Sequence, residues 1–383
     1  MVKSIEEINE KIKKGTAVVL TAEEFKKLGE KESPKNLLKK VDVVTTATFG
    51  PMCSSGVFLN FGHTSPGIRM EDVTLNGVKA YSGIAAVDTY LGATEASASD
   101  KSYGGAHVIE ELISGRKVRL RARGTVTDCY PNAEIDTEIS LSGINEAIMF
   151  NPRNAYQNYA AATNSSGKKL HTYMGMLMPS FGNVNYSTSG ELSPLLNDPY
   201  LRFTGIGTRI FLGGAQGYIG WGGTQSCNGR ERNDSGIPLA PAVSLAVTGS
   251  LKEMSTEFIR AAYFEKYGVS LFVGIGMALP VIDEDAADAL LIRNKNIETR
   301  ICDYSDPSHP AIATVNYGEL QSGTVNWEGK KIRTAPLSSI SKAIEITEVL
   351  KVQIQNASFF LTEKLQDLPA SLTLNNLKGG GNE

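Results

Sequence analysis

The sequence is poor in cysteine, and the four cysteines that it has lie far apart. Cys53, Cys129, Cys227 and Cys302 show neither the dense spacing of a secreted disulfide framework nor the paired spacing of a zinc knuckle. We therefore expect no metal site and no structural disulfide. A cytoplasmic location, where thiols stay reduced, fits this cysteine usage best.

An excess of positive charge and a long apolar run are also missing. Lysine and arginine number 38 against 41 aspartate and glutamate residues, a net charge of -3. Nucleic acid is not expected as a partner, because a protein that neutralises phosphates needs a basic surface. The longest apolar run, VSLFVGIGMALPVI, is shorter than the roughly 20 residues that cross a bilayer. The N-terminus is charged and unlike a signal peptide, so no membrane association is expected.

The pattern along the chain predicts a mixed fold, α+β or α/β, with a β-rich N-terminal half that contains hairpins and a βαβα-like C-terminal half. Residues 1–40 predict a helical segment, and residues 41–195 predict a β-rich region that carries Cys53 and Cys129. Residues 196–375 alternate strand and helix patterns, as in a parallel α/β layer.

Several local signals predict individual elements. Residues 4–7 and 21–24 have the Ser/Thr-x-x-Glu pattern of capping boxes, and a brief strand lies between the two helices that they begin. GGAHVIEELISG predicts a helix that ends at Gly115, and STEFIRAAYFEKYG predicts another helix. Pro336 is expected to open a long helix, since proline suits the first helical turn.

Cys129 belongs to a segment with strict two-residue alternation, KVRLRARGTVTDCYPNAEIDTEISL. The alternation places Cys129 on the polar face of a strand. A turn at Tyr130-Pro131 would set Arg123 opposite Glu138, and opposite charges across a ladder favour that register. The alternative is a cysteine that occupies a hairpin end without a chemical role.

Cys53 lies in TFGPMCSSGVFLNFGH, where a predicted strand stops at Gly50-Pro51. Open α/β sheets gather ligands beyond strand ends, and the N–H groups of Ser54, Ser55 and Gly56 are candidates for an anion-binding nest around a thiolate. His63, ten positions on, is a candidate proton donor or acceptor. The alternative is a plain turn cysteine beside a structural loop histidine.

Six ordered stretches resemble one known family, the homocysteine-biosynthesis proteins (L-aspartate semialdehyde sulfurtransferases) of methanogens and anaerobic bacteria. They extend over roughly residues 40 to 350, nearly the whole chain. The stretches are VTTATFGPMCSSGVFLNFGH, GVKAYSGIAAVDTYLGAT, GGAHVIEELISG, TDCYPNAE, GIGTRIFLGGAQGYIGWGGTQ and GSLKEMSTEFIRAAYFEKYGVSLFVGIG.

The resemblance implies an enzyme that converts L-aspartate 4-semialdehyde, sulfide-level sulfur and two electrons into L-homocysteine. It implies two functional cysteines, matching Cys53 and Cys129, with Cys129 as the persulfide carrier. The sulfur donor would be sulfide or a sulfur carrier, and the electrons would come from a ferredoxin-like iron–sulfur protein, with no cofactor bound by this chain. Many family members carry C-terminal CBS domains, which this chain is expected to lack; a homo-oligomer is left open.

The substrate needs a cation for its carboxylate and an acceptor for its ammonium group. Arg123 and Arg153 are candidates for the first task, because a guanidinium matches a carboxylate well, and Asp128 is a candidate for the second. His63 or His107 is a candidate proton donor to the aldehyde oxygen.

Two other classes of function stay open. A non-catalytic thiol redox sensor would use the same cysteine pair but needs no small-molecule pocket beside it. A CoA-dependent acyl-transfer enzyme would need a basic groove for phosphates and only one nucleophile. The sulfurtransferase hypothesis expects Cys53 and Cys129 to approach to a disulfide-compatible Cα separation of about 4.4–6.8 Å.

Overall fold

The computed structural model describes residues 2–370, 373–375 and 377. Strands outweigh helices, and the prediction of a mixed α+β fold is confirmed. The helices are α1 (Ile5–Lys13), α2 (Ala22–Gly29), α3 (Pro34–Lys40), α4 (Gly105–Ile113), α5 (Pro194–Asn197), α6 (Glu284–Ala289), α7 (Tyr317–Gln321) and α8 (Ile340–Gln355).

The strands follow in chain order and form one large sheet and three smaller ones. They are β1 (Val19–Thr21), β2 (Val43–Pro51), β3 (Gly56–Asn60), β4 (Asp72–Leu75), β5 (Val78–Ala80), β6 (Asp88–Gly92), β7 (Val118–Arg123), β8 (Glu134–Ile139), β9 (Glu146–Asn154), β10 (Ala161–Thr163), β11 (Leu170–Thr172), β12 (Gly175–Leu177), β13 (Asn183–Tyr186), β14 (Arg209–Leu212), β15 (Ala215–Gly222), β16 (Leu245–Ser250), β17 (Ile259–Phe264), β18 (Gly268–Pro280), β19 (Glu298–Asp303), β20 (Ala311–Asn316), β21 (Thr324–Trp327) and β22 (Lys330–Pro336).

The large sheet has the order β1-β2-β18-β14-β15-β16-β9-β3-β6, and β17 pairs with β18 beside this path. It takes strands from all three of the segments that the sequence pattern suggested. Its longest pair is antiparallel, with Val43 of β2 opposite Pro280 of β18. Helix α8 packs closely on this pair: a Cβ atom at Gly276 would lie 3.1 Å from the Ile346 side chain. The main core lies under this sheet.

The smaller sheets flank the large one. A six-stranded sheet has the order β20-β19-β10-β13-β22-β21, and a four-stranded sheet has the order β5-β4-β7-β8. Strands β11 and β12 form a separate hairpin. In the described part of the chain, no helix is long and apolar enough to cross a bilayer.

Some local predictions are confirmed and others are wrong. Both capping boxes form, Ser4 with Glu7 and Thr21 with Glu24, and α4 ends before Gly115 as expected. The stretch predicted as a helix after residue 254 is instead β17, which pairs antiparallel with β18, so the expected parallel α/β layer is absent from this part of the described chain. The long helix begins after Ser339, whereas Pro336 ends β22.

Candidate active site

A short, tightly bonded turn between β2 and β3 holds Cys53. Ser55 donates to the carbonyl oxygen of Met52 through its backbone N–H (3.0 Å) and through its hydroxyl (2.7 Å). The Asn151 side-chain amide in turn donates to the Ser55 hydroxyl at 2.8 Å. The Ser55 N–H is thereby occupied and does not point at the thiol, so the predicted N–H nest is wrong at this position.

Two hydroxyl groups from the β17–β18 hairpin surround the Cys53 thiol. The Ser270 Oγ atom lies 3.2 Å from the Cys53 Sγ atom, and the Tyr267 Oη atom lies 3.9 Å from it. Ser270 is fully buried on β18, which fixes its hydroxyl beside the sulfur. Burial and the neighbouring Cys53 sulfur raise the pKa of Tyr267, so its phenol keeps its proton and is available as a donor.

A cavity of about 330 Å³ opens beside this thiol. Its walls combine tyrosine rings, small polar groups and apolar side chains with one guanidinium. The lining residues are Pro51, Met52, Cys53, Ser54, Arg153, Tyr156, Tyr159, Tyr173, Met174, Ser187, Gln225, Tyr267 and Leu337. A space of this size accommodates a small metabolite of a few carbon atoms.

The tyrosines on the far wall are joined by their hydroxyl groups. Tyr173 lies on the turn between β11 and β12, and its Oη atom is 3.0 Å from that of Tyr159 and 2.8 Å from that of Tyr304. Burial raises the pKa of both Tyr159 and Tyr304. These phenols therefore stay protonated at neutral pH; Tyr159 lines the cavity, whereas Tyr304 bonds to Tyr173 without being part of its lining.

Arg153 supplies the positive charge of the cavity. It lies near the end of β9, and its guanidinium donates to the neutral side chain of Gln225 rather than to a carboxylate in the described part of the chain. Burial raises the pKa of Tyr156, and the adjacent Arg153 guanidinium partly opposes that rise. Because Gln225 is neutral, the charge of the Arg153 guanidinium is available to an anionic ligand.

Cys129 lies elsewhere, on the tip of an exposed turn. Thr127 and Tyr130 exchange backbone hydrogen bonds of 3.0 and 3.1 Å, which leaves Asp128 and Cys129 as the two central residues. The predicted turn at Tyr130-Pro131 is wrong, because β7 already ends at Arg123 and a ten-residue segment separates it from β8. Arg123 consequently pairs with Glu134 rather than with Glu138.

The two thiols lie near opposite ends of β3. Cys53 precedes Gly56, where β3 begins, whereas Tyr130, next to Cys129, lies beside Ala86, just before the β6 residue Asp88 that pairs with Asn60 at the other end. The strand alone spans about 13 Å at the usual rise per residue. Cys53 and Cys129 form no disulfide, and the Cys129 turn does not line the Cys53 cavity, so the expected close approach is absent from this conformation.

The remaining predicted site residues do not line the cavity. His63 is exposed in the segment after β3, and Asp128 is exposed beside Cys129. Arg123 is exposed on β7, with its guanidinium 4.0 Å from Glu134. His107 has a structural position: its Nδ1 atom accepts a hydrogen bond from the Gly104 N–H at the start of α4.

The tyrosine wall is the part of the site that sequence reasoning missed. Tyr156 and Tyr159 have no periodic pattern around them, and Tyr173 and Tyr304 come from distant segments. For Tyr267 a signal existed, since KYG before a β-rich run is compatible with a hairpin turn. In the described part of the chain, no three His, Cys, Asp or Glu side chains are grouped as metal ligands.

A cavity in which a thiol, protonated phenols and a guanidinium converge is typical of an enzyme that acts on a small anionic substrate through sulfur chemistry. Residues 17–361 match the family described as "Homocysteine biosynthesis enzyme, sulfur-incorporation". The chain belongs to this family of homocysteine biosynthesis enzymes.

Two relatives carry a more specific name. The chain is 48% identical to the L-aspartate semialdehyde sulfurtransferase of Methanocaldococcus jannaschii, and the alignment covers 96% of this chain and 74% of the relative. It is 47% identical to the protein of the same name from Methanosarcina acetivorans, over 96% of this chain and 72% of the relative. An uncharacterized protein of Methanothermobacter thermautotrophicus is 28% identical over 84% of this chain. No solved structure matches the chain.

Proposed function

We propose that this enzyme converts L-aspartate 4-semialdehyde, sulfide, two electrons and two protons into L-homocysteine and water in the Cys53 cavity. The names of the two relatives that are almost half identical support this substrate. Sulfide adds to the aldehyde carbon, loss of water leaves a thioaldehyde, and two electrons with two protons reduce it to the thiol.

One observation carries the assignment to this cavity: the Cys53 thiol and the Arg153 guanidinium line the same space. A guanidinium binds a carboxylate in a fixed orientation, so it holds one end of a four-carbon substrate while the other end meets the sulfur. The protonated Tyr267 hydroxyl, which lines the cavity beside Cys53, is the donor for the aldehyde oxygen as it gains negative charge. Among the predicted carboxylate ligands, Arg153 is therefore favoured over Arg123.

We assign to Cys129 the role of accepting sulfur from an external sulfur carrier. An exposed thiol on a turn is accessible to a sulfur carrier, and a persulfide stores the sulfur reversibly. Attack by the Cys53 thiolate on the Sγ atom of such a persulfide would release sulfide and form a Cys53–Cys129 disulfide. This route consumes two electrons more than free sulfide does, and a ferredoxin-like protein is the proposed donor.

The cavity also separates this proposal from its competitors. A redox sensor needs no space for a small molecule, whereas Cys53 borders a cavity of about 330 Å³. A CoA-dependent enzyme needs several cations for phosphates, and the wall of this cavity contributes one, Arg153. Neither alternative is favoured by a specific feature of the described residues.

Homocysteine formation from the semialdehyde, sulfide and titanium(III) citrate tests the proposal. The wild-type protein is expected to form the product. With a persulfide donor in place of sulfide, Cys53→Ser is expected to form none, because the Cys53 thiolate releases the sulfide. Intact-mass analysis after incubation with a sulfur donor tests the second thiol: one added sulfur should appear in the wild type and in Cys302→Ser but not in Cys129→Ser. Full activity of Cys53→Ser with the persulfide donor would refute the assignment to this cavity.

A further inference from the structure

The charges around the cavity are one-sided. Of its thirteen lining residues, all in the described part of the chain, Arg153 is cationic and none is an aspartate, a glutamate, a lysine or a histidine. The group that accepts from Arg153 is the neutral amide oxygen of Gln225. The wall thus offers an ionic partner to a carboxylate but none to an ammonium group.

The carboxylate that the sequence suggested for the ammonium group is not in the cavity. Asp128 is exposed on the turn that carries Cys129, next to the segment beyond the far end of β3. The cavity offers the ammonium group the faces of tyrosine rings instead, because the hydroxyls of Tyr159 and Tyr173 already bond to each other. A cation over such a ring gains about 2 kcal/mol when desolvated, equivalent to roughly a 30-fold change in affinity.

We propose that the cavity also accepts the short aldehyde acids that lack the α-amino group, with succinate semialdehyde as the simplest. This inference rests on the function proposed above. The same addition, loss of water and two-electron reduction turn succinate semialdehyde, sulfide, two electrons and two protons into 4-sulfanylbutanoate and water. Arg153 holds the carboxylate and the aldehyde faces Cys53 in both substrates.

The expected discrimination between the two aldehydes follows from the missing ionic partner. A site built around a buried polar group of its substrate rejects an analogue without that group by about 10,000-fold or more, because the partner is then left unpaired. Here no charged partner of the ammonium group lines the wall, so removing it leaves nothing ionic unpaired. The ratio of kcat/KM values for the two aldehydes is expected to stay within about 30-fold.

The test compares thiol formation from both aldehydes with sulfide and titanium(III) citrate, detected by mass spectrometry after alkylation of the products. A reaction without the protein is the control for uncatalysed addition. A ratio within about 30-fold supports the inference, and a clearly larger ratio overturns it while leaving the proposed function intact. Such a preference would indicate that an acidic group, for example Asp128, enters the cavity during turnover.

A binding measurement decides the inference even if neither aldehyde reacts, an outcome that would refute the proposed function itself. Butanoate and L-2-aminobutanoate, which lack the aldehyde, are tested for slowing the alkylation of Cys53, with the modified peptide quantified by mass. Equal protection by both acids in the wild type, lost for both in Arg153→Met, supports a site that recognises the carboxylate alone. Protection by the amino acid only, or by neither compound, overturns it.

Discussion

Replacing Arg153 by methionine tests how the cavity holds its substrate. Methionine keeps the length and apolar stem of the side chain but removes the charge that faces the cavity. A hydrogen bond to a charged group contributes about 1.5–3 kcal/mol, and the half-buried position of Arg153 favours the lower part of that range because solvent screens the charge. We therefore expect kcat/KM for the semialdehyde to fall by about 10- to 40-fold.

The loss should lie mostly in KM. The substrate carboxylate does not change during the reaction, so Arg153 binds the ground state and the transition state to a similar extent. Initial rates of homocysteine formation at varied semialdehyde concentration separate KM from kcat, and thermal unfolding checks that the variant is folded. Arg153→Lys, which keeps the charge but loses the planar fork, should fall between the wild type and the methionine variant.

Arg123→Met is the matched control. Arg123 is an exposed arginine paired with Glu134 on the four-stranded sheet and does not line the cavity. Its removal should leave both kinetic constants within about twofold of the wild type, since exposed ion pairs contribute little. An unchanged KM in Arg153→Met, or a raised KM in Arg123→Met, would refute the placement of the substrate carboxylate.

Three further predictions concern stability and thiol reactivity. Burial lowers the pKa of Lys26 to about 7, and the unfolded chain keeps this proton up to about pH 10.4. The free energy of unfolding of the wild type relative to Lys26→Met should therefore rise with pH across that range in urea titrations, and a fall would contradict the burial argument. In Gly124→Ala the new Cβ atom would lie 1.8 Å from the Arg69 carbonyl oxygen, so we expect a loss of about 1–3 kcal/mol in thermal or urea unfolding; an unchanged midpoint would show that the two segments separate freely. Iodoacetamide should modify the exposed Cys129 well before Cys302, whose pKa burial raises, and peptide mass analysis showing the reverse order would contradict the exposures described here.

Sequence patterns predicted the elements whose causes are local. A capping box needs only residues within one helical turn, so Ser4–Glu7 and Thr21–Glu24 form as expected. Helix α4 ends before Gly115, which has the positive φ of +80° that glycine adopts readily. Distant segments do not enter these short-range preferences, which is why their sequence signals suffice.

Elements decided by distant partners were mispredicted. Residues 259–264 carry a pattern compatible with a helix, but β18 is a thirteen-residue strand that needs neighbours, and pairing with β17 supplies one. Pro336 suits the first turn of a helix, yet β22 continues through it because β13 pairs in parallel up to that residue. In both cases sheet pairing outweighs local propensity.

The candidate site also contains some residues that the sequence predicted and others that only the folded structure brings together. Cys53 was predicted because a strand, a turn and a thiol follow one another in the sequence, and Arg153 because carboxylate recognition calls for a guanidinium. The Tyr159–Tyr173–Tyr304 hydroxyl contacts join segments up to 145 residues apart, counted from Tyr304 back to Tyr159, and no local pattern marks them. Only the folded arrangement brings these three hydroxyl groups into contact beside the cavity.

The separation of the two thiols constrains every mechanism that uses both. A disulfide requires Cα atoms about 4.4–6.8 Å apart, whereas Cys53 and the Cys129 turn lie near opposite ends of β3. The Ser55–Met52 and Asn151–Ser55 hydrogen bonds hold the turn that carries Cys53, so moving Cys53 out of the cavity would break them. Any encounter must therefore come from the exposed Cys129 turn, either by movement of residues 124–133 or from a second molecule. Free sulfide needs no such encounter, because it can enter the cavity directly, and so Cys129→Ser should impair turnover with a protein-bound sulfur donor far more than turnover with sulfide.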